Sequence, residues 1–260
     1  MSSAPPLEAL SLLTLNTWFS DRDRAVRLDA QLAMLEASDA DVIGLQEVTA
    51  DLLERLQGAP WVQARYTLPP EPAGPLRSHG YGVVLLVKRA LAPKRFRWHP
   101  FDSQMGRGLL VAELGGGVEV GTVHLESMRI HHAARTAQLE ACAGHLQGAD
   151  TAVLMGDFNF DDGDAHPSPL GPFVDLWAAG RPHDPGYTCD ELANEMARRE
   201  RAPQRRRIDR ITLLDRTASW RLGEIRVIAD EAVAPGVWPS DHFGVTARLL
   251  RGPGRADPQA

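Results

Sequence analysis

Residues 151–159, Thr-Ala-Val-Leu-Met-Gly-Asp-Phe-Asn, contain the pattern on which the predicted fold rests. An apolar run of strand length ends in a glycine and is followed at once by a carboxylate, Asp157, and an amide, Asn159. Short apolar runs with branched side chains are typical of strands that are covered on at least one face. Polar side chains that directly follow such strands lie where ligands collect at a sheet edge. The stretch therefore predicts a buried strand that delivers two polar groups to a site.

The same combination of an apolar run and a polar end recurs along the chain. Further runs of strand length occupy residues 10–15, 41–45, 82–87, 109–114, 118–123, 208–214, 222–228 and 245–250. Apolar side chains at helical spacing lie between them, at residues 24–36, 50–56 and 133–146. We expect Ser20 or Asp21 to cap the first helix, and the glycine-rich turn at 115–117 predicts a hairpin. The pattern predicts an α/β fold with mixed sheets and helices outside.

The composition is that of an ordinary globular protein: 260 residues, 43% hydrophobic and 24% charged, with a net charge of −6. This acidity disfavours a non-specific coat on nucleic acid, because a polyanion needs locally placed cations. Two cysteines, Cys142 and Cys189, make neither a disulfide framework nor a four-thiolate zinc site. No apolar run approaches the ~20 residues of a membrane span, and residues 1–8 do not resemble a signal peptide. We expect a cytoplasmic monomer without a membrane partner, with one domain at 1–252 and a disordered tail at 253–260.

Nearly every predicted strand ends at a carboxylate, an amide or a histidine. These side chains are Asn16, Gln46, Glu47, His124, Glu126, Ser127, Asp157, Asn159, Asp209, Ser240, Asp241 and His242. Carboxylate and amide oxygens without a cysteine ligand describe a hard cation, and Mg²⁺ suits them better than zinc. Charged histidines bind phosphoryl oxygens, and a carboxylate such as Asp209 can orient an imidazole. The set predicts a phosphoester site, provided that the groups converge.

Each of these residues taken singly also has an ordinary structural explanation, such as an Asx-turn, a helix cap or a solvated strand end. Taken together, they favour catalysis. The chain has no Gly-x-Ser-x-Gly, Walker A or His-Glu-x-x-His motif, which disfavours three other hydrolytic chemistries. The arginine-rich stretch at 198–207 has two interpretations, a guide for nucleic acid toward Asp209 or a solvated loop.

Seven short motifs in one fixed order resemble the endonuclease/exonuclease/phosphatase superfamily over about residues 10–250. They are Leu-Asn-Thr-Trp at 15–18, Leu-Gln-Glu-Val at 45–48, Gly-Tyr-Gly at 80–82, His-Leu-Glu-Ser at 124–127, Gly-Asp-Phe-Asn at 156–159, Arg-Ile-Asp-Arg at 207–210 and Ser-Asp-His at 240–242. The resemblance implies a four-layer α/β/β/α sandwich of two mixed sheets flanked by helices. It also implies dependence on Mg²⁺ or Mn²⁺ and hydrolysis of a phosphoester by direct attack of water.

The resemblance also implies a role for each matching residue. By this resemblance, Glu47 binds the metal, and Asn16 and Asp241 lie nearby. Asp157 and Asn159 position the attacking water, while His124 and His242, the latter supported by Asp209, stabilise charge on phosphorus. Ser127 and Arg129 contact a substrate phosphate.

Within the superfamily, the chain is most similar to the 5′-tyrosyl-DNA phosphodiesterases, which act in DNA repair. Cys189 replaces a tryptophan of that family that can stack on a base, and Asp161 replaces an arginine, so that we expect it to repel DNA phosphates. The expected function is therefore hydrolysis at nucleic acid 5′ ends, including 5′-phosphotyrosyl DNA. The alternatives are a small phosphoester substrate, such as an inositol phosphate, a lipid head group or a nucleotide, and an inactive binding module.

Overall fold

The computed structural model describes residues 7–70, 80–166, 168–198 and 202–252. The predicted tail at 253–260 lies outside these residues, as does most of the proline-rich loop predicted at 69–75, so the extent of the domain stays a prediction. Among the described helices, none combines the length and the apolar character needed to cross a lipid bilayer.

Every apolar run predicted from the sequence lies in a strand, apart from at most one residue at an end of the run. The strands are β1 (Ala9–Asn16), β2 (Val42–Thr49), β3 (Tyr66–Thr67), β4 (Tyr81–Lys88), β5 (Arg95–Pro100), β6 (Gly108–Glu113), β7 (Val118–His124), β8 (Thr151–Asp157), β9 (Val174–Asp175), β10 (Cys189–Asp190), β11 (Arg205–Arg206), β12 (Asp209–Asp215), β13 (Trp220–Ile228) and β14 (Gly244–Arg251). The helices are α1 (Arg24–Ser38), α2 (Ala50–Gly58), α3 (Pro60–Arg65), α4 (His132–Leu146) and α5 (Leu176–Gly180), with 3₁₀ turns at Arg89–Leu91 and Arg129–His131.

The strands form two sheets of six strands each and a separate two-stranded ribbon, β10–β11. The first sheet has the order β13-β14-β1-β2-β4-β3, and the second has the order β5-β6-β7-β8-β12-β9. Each sheet contains one parallel pair, β1/β2 or β7/β8, among antiparallel neighbours. Helix α1 joins the first parallel pair and α4 joins the second. Both sheets are therefore mixed.

Three apolar clusters separate four layers. The cluster between the sheets includes Leu12 and Leu85 from the first sheet and Val120 and Met155 from the second. The outer face of the first sheet packs on α1, α2 and α3, and the outer face of the second packs on α4, where Cys142 is buried. Fully burying one such side chain stabilises the fold by about 1.5–3 kcal/mol. The predicted α/β/β/α sandwich is confirmed.

The predicted cap of α1 is wrong. Asp23 occupies the N-cap position in a left-handed conformation (φ 48°) and makes no side-chain cap. Ser20 and Asp21 instead contact Arg24, through the Ser20 carbonyl oxygen and the Asp21 carboxylate. The buried Arg27 guanidinium donates to the carbonyl oxygens of residues 17, 18, 20 and 22. The loop after β1 is thus held by an arginine inside the helix rather than by a cap.

The two parallel pairs bring the polar strand ends to one place. The strands of a parallel pair have their carboxyl ends on the same edge of the sheet, so Asn16 lies opposite Gln46, the residue before Glu47, in one sheet, and His124 lies opposite Asp157 in the other. Asp209 begins β12 directly opposite Asp157 in an antiparallel pair. Positive φ angles of 56–69° occur at the β2 bulge, at Glu47, and in the loops that follow the other three strands, at Trp18, Met128 and Asn159.

Gly156 is required where β8 approaches β7. Its φ is +140°, and a Cβ there would lie 2.0 Å from the carbonyl oxygen of Val123. We therefore expect Gly156→Ala to lower the free energy of unfolding by about 3 kcal/mol or more. Gly144→Ala on the exposed face of α4 is the matched control, because its Cβ meets no atom within 4 Å, and we expect a gain of up to about 1 kcal/mol. Urea denaturation measures both, and equal stability of the two variants would contradict this packing.

Candidate active site

Glu47 reaches the edge of the first sheet through a β-bulge between Leu45 and Val48. Its carboxylate accepts hydrogen bonds from the Phe19 backbone N–H at 3.0 Å and from Asn16 Nδ2 at 3.3 Å. Burial, together with the nearby negative charge of Asp241, raises the pKa of Glu47. The group is thus a carboxylate held rigidly where its negative charge is poorly solvated.

Asp157 lies between the two sheets' polar ends. Asn16 Nδ2 donates to its Oδ2 at 3.0 Å, and the Asn159 backbone N–H donates to its Oδ1 at 2.9 Å. The Asn159 side chain in turn donates to the Leu125 carbonyl oxygen at 3.0 Å. Burial and the adjacent Asp209 carboxylate raise the pKa of Asp157, which brings a carboxyl group closer to the range suited to a base near neutral pH.

His242 and Asp209 form a buried pair. His242 Nδ1 lies 2.9 Å from Asp209 Oδ2, and the Thr188 hydroxyl accepts from the Asp209 backbone N–H at 3.0 Å. Burial alone would lower the pKa of His242, but Asp209 and Asp241 raise it well above the usual value. The imidazole therefore carries a positive charge oriented by a carboxylate.

His124 has the opposite character because an arginine lies against it. Arg107 Nη1 lies 2.8 Å from His124 Nδ1, and burial, Arg107 and His242 lower the pKa of His124 well below its usual value. An arginine can only donate, so Nδ1 accepts and the proton of the neutral ring sits on Nε2. That nitrogen lies 3.3 Å from Asp157 Oδ2 and 4.0 Å from Glu47 Oε1. His124 is therefore neutral, whereas His242 is charged.

Arg107 is the functional residue that sequence reasoning missed. It is buried and also donates from Nη2 to the Ser127 hydroxyl at 3.1 Å. Its guanidinium lies 5.7 Å from the centroid of the Tyr81 ring, which stacks on Phe19 at 4.6 Å. The signal in the sequence was an arginine between Gly106 and Gly108 immediately before an apolar run.

An open cleft of about 470 Å³ leads to these groups. Its lining includes Glu47, His124, Ser127, Arg129, Asp157, Asn159 and His242, together with Cys189, Glu191, Gln204 and Arg206 of the ribbon side. Of the remaining predicted residues, Asn16, Asp209 and Asp241 are buried and interact with lining residues. The structure thus brings every predicted site residue to the cleft or to the shell directly behind it.

The donor set suits a divalent cation. One carboxylate oxygen from each of Asp157 and Asp209 lies within 4.8 Å of the other and of a ring nitrogen of His242, although the charged imidazole itself has no lone pair for a metal. Asp209 Oδ1 is buried and has no hydrogen-bond partner among the described residues, which is costly for a carboxylate oxygen unless a cation compensates it. Together with Glu47, these oxygens fit the preference of Mg²⁺ for carboxylates.

The sequence profile of the endonuclease/exonuclease/phosphatase family matches residues 13–242. The chain belongs to this family. Tyrosyl-DNA phosphodiesterase 2 of Mus musculus is 29% identical over 262 residues, covering 95% of this chain and 68% of that protein. The 5′-tyrosyl-DNA phosphodiesterase of Caenorhabditis briggsae is 30% identical over 197 residues, covering 70% and 54%.

Solved structures of the family share the fold. TDP2 of D. rerio, complexed with a single-strand DNA product, superposes with a TM-score of 0.78 at 24% identity, covering 93% of this chain and 98% of that one. The mannosyl-6-phosphatase Bt3783 of Bacteroides thetaiotaomicron superposes with a TM-score of 0.69 at 17% identity, covering 93% and 99%. Proteins that share this fold are therefore named for different substrates, and the fold alone does not identify the substrate of this chain.

Arg207, at the end of the basic stretch, and Asp161 are both held by contacts within the protein. Arg207 is buried and pairs with Asp162 and with Asp175, the latter at 2.7 Å, so it is neither a solvated loop residue nor a guide for nucleic acid. Asp161 accepts the backbone N–H groups of Arg207 at 2.8 Å and Gly163 at 3.2 Å. The Asp161 carboxylate thus stabilises the backbone of its own loop. Because these N–H groups partly offset its negative charge, we expect it to repel a phosphate less strongly.

The two histidines provide a direct test of this electrostatic arrangement. In metal-chelated protein at pH 7.5, we expect His242 to be protonated on both nitrogens and His124 to be neutral with its proton on Nε2. Two-bond ¹H–¹⁵N correlation spectra distinguish these forms. Asp209→Asn removes the carboxylate that raises the His242 pKa, so we expect that pKa to fall while His124 stays neutral. A doubly protonated His124, or a neutral His242 in the unmodified chain, would contradict the arrangement.

Proposed function

We propose that this chain is a divalent-metal-dependent phosphodiesterase that hydrolyses a phosphoester at nucleic acid 5′ ends, including 5′-phosphotyrosyl DNA. The observation that carries the proposal is the meeting in one cleft of Glu47 from the first sheet, Asp157 from the second and His242 from the segment before β14. The names of the tyrosyl-DNA phosphodiesterase relatives support the choice of substrate.

Glu47 would hold the cation, with Asn16 and Asp241 beside it. Asn16 bridges the Glu47 and Asp157 carboxylates through Nδ2 and thereby fixes their separation. When bound, Mg²⁺ or Mn²⁺ neutralises charge on a phosphoryl oxygen and on the departing oxygen.

Asp157 and Asn159 would position the attacking water. The backbone N–H of Asn159 fixes one oxygen of Asp157, and the raised pKa of that carboxyl group suits it to accept a proton as the water attacks. The Asn159 side chain, which lines the cleft, is held by its hydrogen bond to the Leu125 carbonyl oxygen. General-base assistance of this kind accounts for about 10²–10⁴ in rate.

His242 and His124 would stabilise charge on the phosphoryl oxygens in two different ways. His242 offers a charged imidazolium oriented by Asp209, whereas His124 offers a neutral N–H donor whose tautomer is set by Arg107. Preorganised donors aimed at developing charge are the main source of rate acceleration in phosphoryl transfer. Ser127 and Arg129 would contact the scissile or a neighbouring phosphate from the wall of the cleft.

A small phosphoester, such as an inositol phosphate, a lipid head group or a nucleotide, is the second candidate substrate. Cys189 stands in the cleft wall in place of a stacking aromatic side chain, and the net charge of −6 is unfavourable for a polyanion. The same cleft chemistry serves either substrate. We further propose that the protein acts as a monomer in the cytoplasm, where Cys142, buried beneath α4, and Cys189 on the ribbon stay reduced.

Turnover of three substrates in Mg²⁺ tests the proposal: a 5′-phosphotyrosyl oligonucleotide, an abasic duplex and a sugar phosphate. We expect the phosphotyrosyl substrate to react fastest and Asp157→Asn to lower its kcat by about 10²–10⁴. Asp29→Asn is the matched control, because Asp29 forms only an exposed ion pair with Arg55 on the helical face. Turnover of the sugar phosphate alone would exclude the nucleic acid substrate, and equal rates for the unmodified chain and Asp157→Asn would exclude this assignment of the base.

Removal of the divalent ion has a structural readout as well as a catalytic one. Because buried carboxylates crowd the site, we expect Mg²⁺ or Mn²⁺ to stabilise the fold by about 2.7 kcal/mol at a free concentration 100-fold above Kd. Thermal unfolding with and without chelator measures the effect, which we expect to be strongly reduced in Glu47→Gln. A melting temperature that is insensitive to metal in the unmodified chain would contradict the assigned site.

A further inference from the structure

The ribbon formed by β10 and β11 contributes an arginine to the cleft. Cys189 and Arg206 are directly opposite each other in this antiparallel pair, and directly opposed residues project from the same face. Both line the cleft that contains Asp157 and His242. Arg205, the adjacent residue, pairs with Asp190 in the ribbon and lies 4.9 Å from the Tyr187 ring. Successive residues of a strand project to opposite faces, so only Arg206 is turned toward the cleft.

Arg206 is held there by a loose contact. Its Nη2 lies 3.4 Å from Asp164 Oδ2, beyond the usual distance for a charged hydrogen bond, and its side chain is 23% exposed. Because the partly exposed guanidinium is held by a contact as long as this, a stronger acceptor that enters the cleft can take its place.

A second arginine converges on the same carboxylate from the opposite wall. Arg129 Nε lies 4.0 Å from Asp164 Oδ1, and Arg129 Nη2 donates to Gln204 Oε1 at 2.6 Å. The cluster therefore has two guanidinium groups around one aspartate, and the carboxylate of Glu191, which also lines the cleft, accepts the Gln204 backbone N–H at 3.1 Å. Guanidinium forks match the paired oxygens of a phosphate better than any other side chain does.

We propose that Arg206, beside Arg129, binds the phosphodiester adjacent to the one being hydrolysed, and so selects oligonucleotide ends over mononucleotide and sugar phosphates. The inference rests on the proposed function, because it assigns a subsite of the same cleft. It deepens that function by giving the positive charge that an acidic protein needs locally to hold a polyanion. It also assigns to Arg206 the role in recognition that the buried ion pairs of Arg207 deny to that neighbouring arginine.

Hydrolysis of two esters separates this subsite from the reaction centre. One is the p-nitrophenyl ester of thymidine 5′-phosphate, which has a single phosphodiester. The other is an oligonucleotide whose 5′-phosphate carries the same p-nitrophenyl ester. We expect the unmodified chain to prefer the oligonucleotide in kcat/KM and Arg206→Gln to reduce that preference about tenfold, mainly through KM. Arg205→Gln removes the same charge from the other face of the ribbon and keeps the preference. Equal effects of the two substitutions, or no preference in the unmodified chain, would overturn the subsite.

Binding without turnover keeps the inference testable if the proposed reaction is wrong. Fluorescence anisotropy of a labelled single-stranded DNA with a 5′-phosphate, in chelator, gives affinity as a function of salt. We expect Arg206→Gln to reduce the slope of log K against log salt by about 0.7, the value for one phosphate contact on a single strand, while Arg205→Gln leaves it unchanged. Failure to hydrolyse either ester would refute the proposed function, whereas identical salt slopes for the two variants would refute the subsite.

Discussion

Parallel pairing of two strands in each sheet is the constraint on which the rest of this structure depends. Because β1/β2 and β7/β8 are parallel, Asn16 and the bulged Glu47 near the end of β2 lie at the same edge as His124 and Asp157. An antiparallel arrangement of either pair would send one of its polar ends to the far side of the molecule. The helices α1 and α4 make the parallel connections possible, and the apolar layer between the sheets then brings the two edges together.

Gathering these ends has an electrostatic cost that the surrounding residues only partly offset. Asp157 and Asp209 are paired opposite each other across two strands, and both are buried. Asn16 and the Asn159 backbone supply hydrogen bonds to Asp157, and His242 supplies a positive charge to Asp209. A phosphoryl-transfer site needs such preorganised charge more than it needs a covalent nucleophile, so the cost and the proposed function have the same origin.

The sequence predicts the parts of the fold that depend on local pattern. The run that became β8 is continuous and apolar, and those of β1 and β14 are mostly apolar, whereas β5 alternates arginines with aromatic side chains and gave no apolar run. The order of the motifs predicted the site residues, because these residues lie at or near the ends of the predicted strands. The neutral state of His124 could not be predicted, because it depends on Arg107. That residue lies 17 positions earlier in the chain, in the loop that precedes β6. Similarly, the direction in which Asp161 points depends on the backbone of Arg207.

Anomalous diffraction from crystals grown with Mn²⁺ tests most directly whether these groups share one ion. The account predicts one strong manganese peak in the cleft, about 2.1 Å from a Glu47 carboxylate oxygen, with Asp157 and His242 within reach of the same phosphate. A cleft that stays without a peak at saturating Mn²⁺, or a peak that Glu47 does not contact, would contradict it.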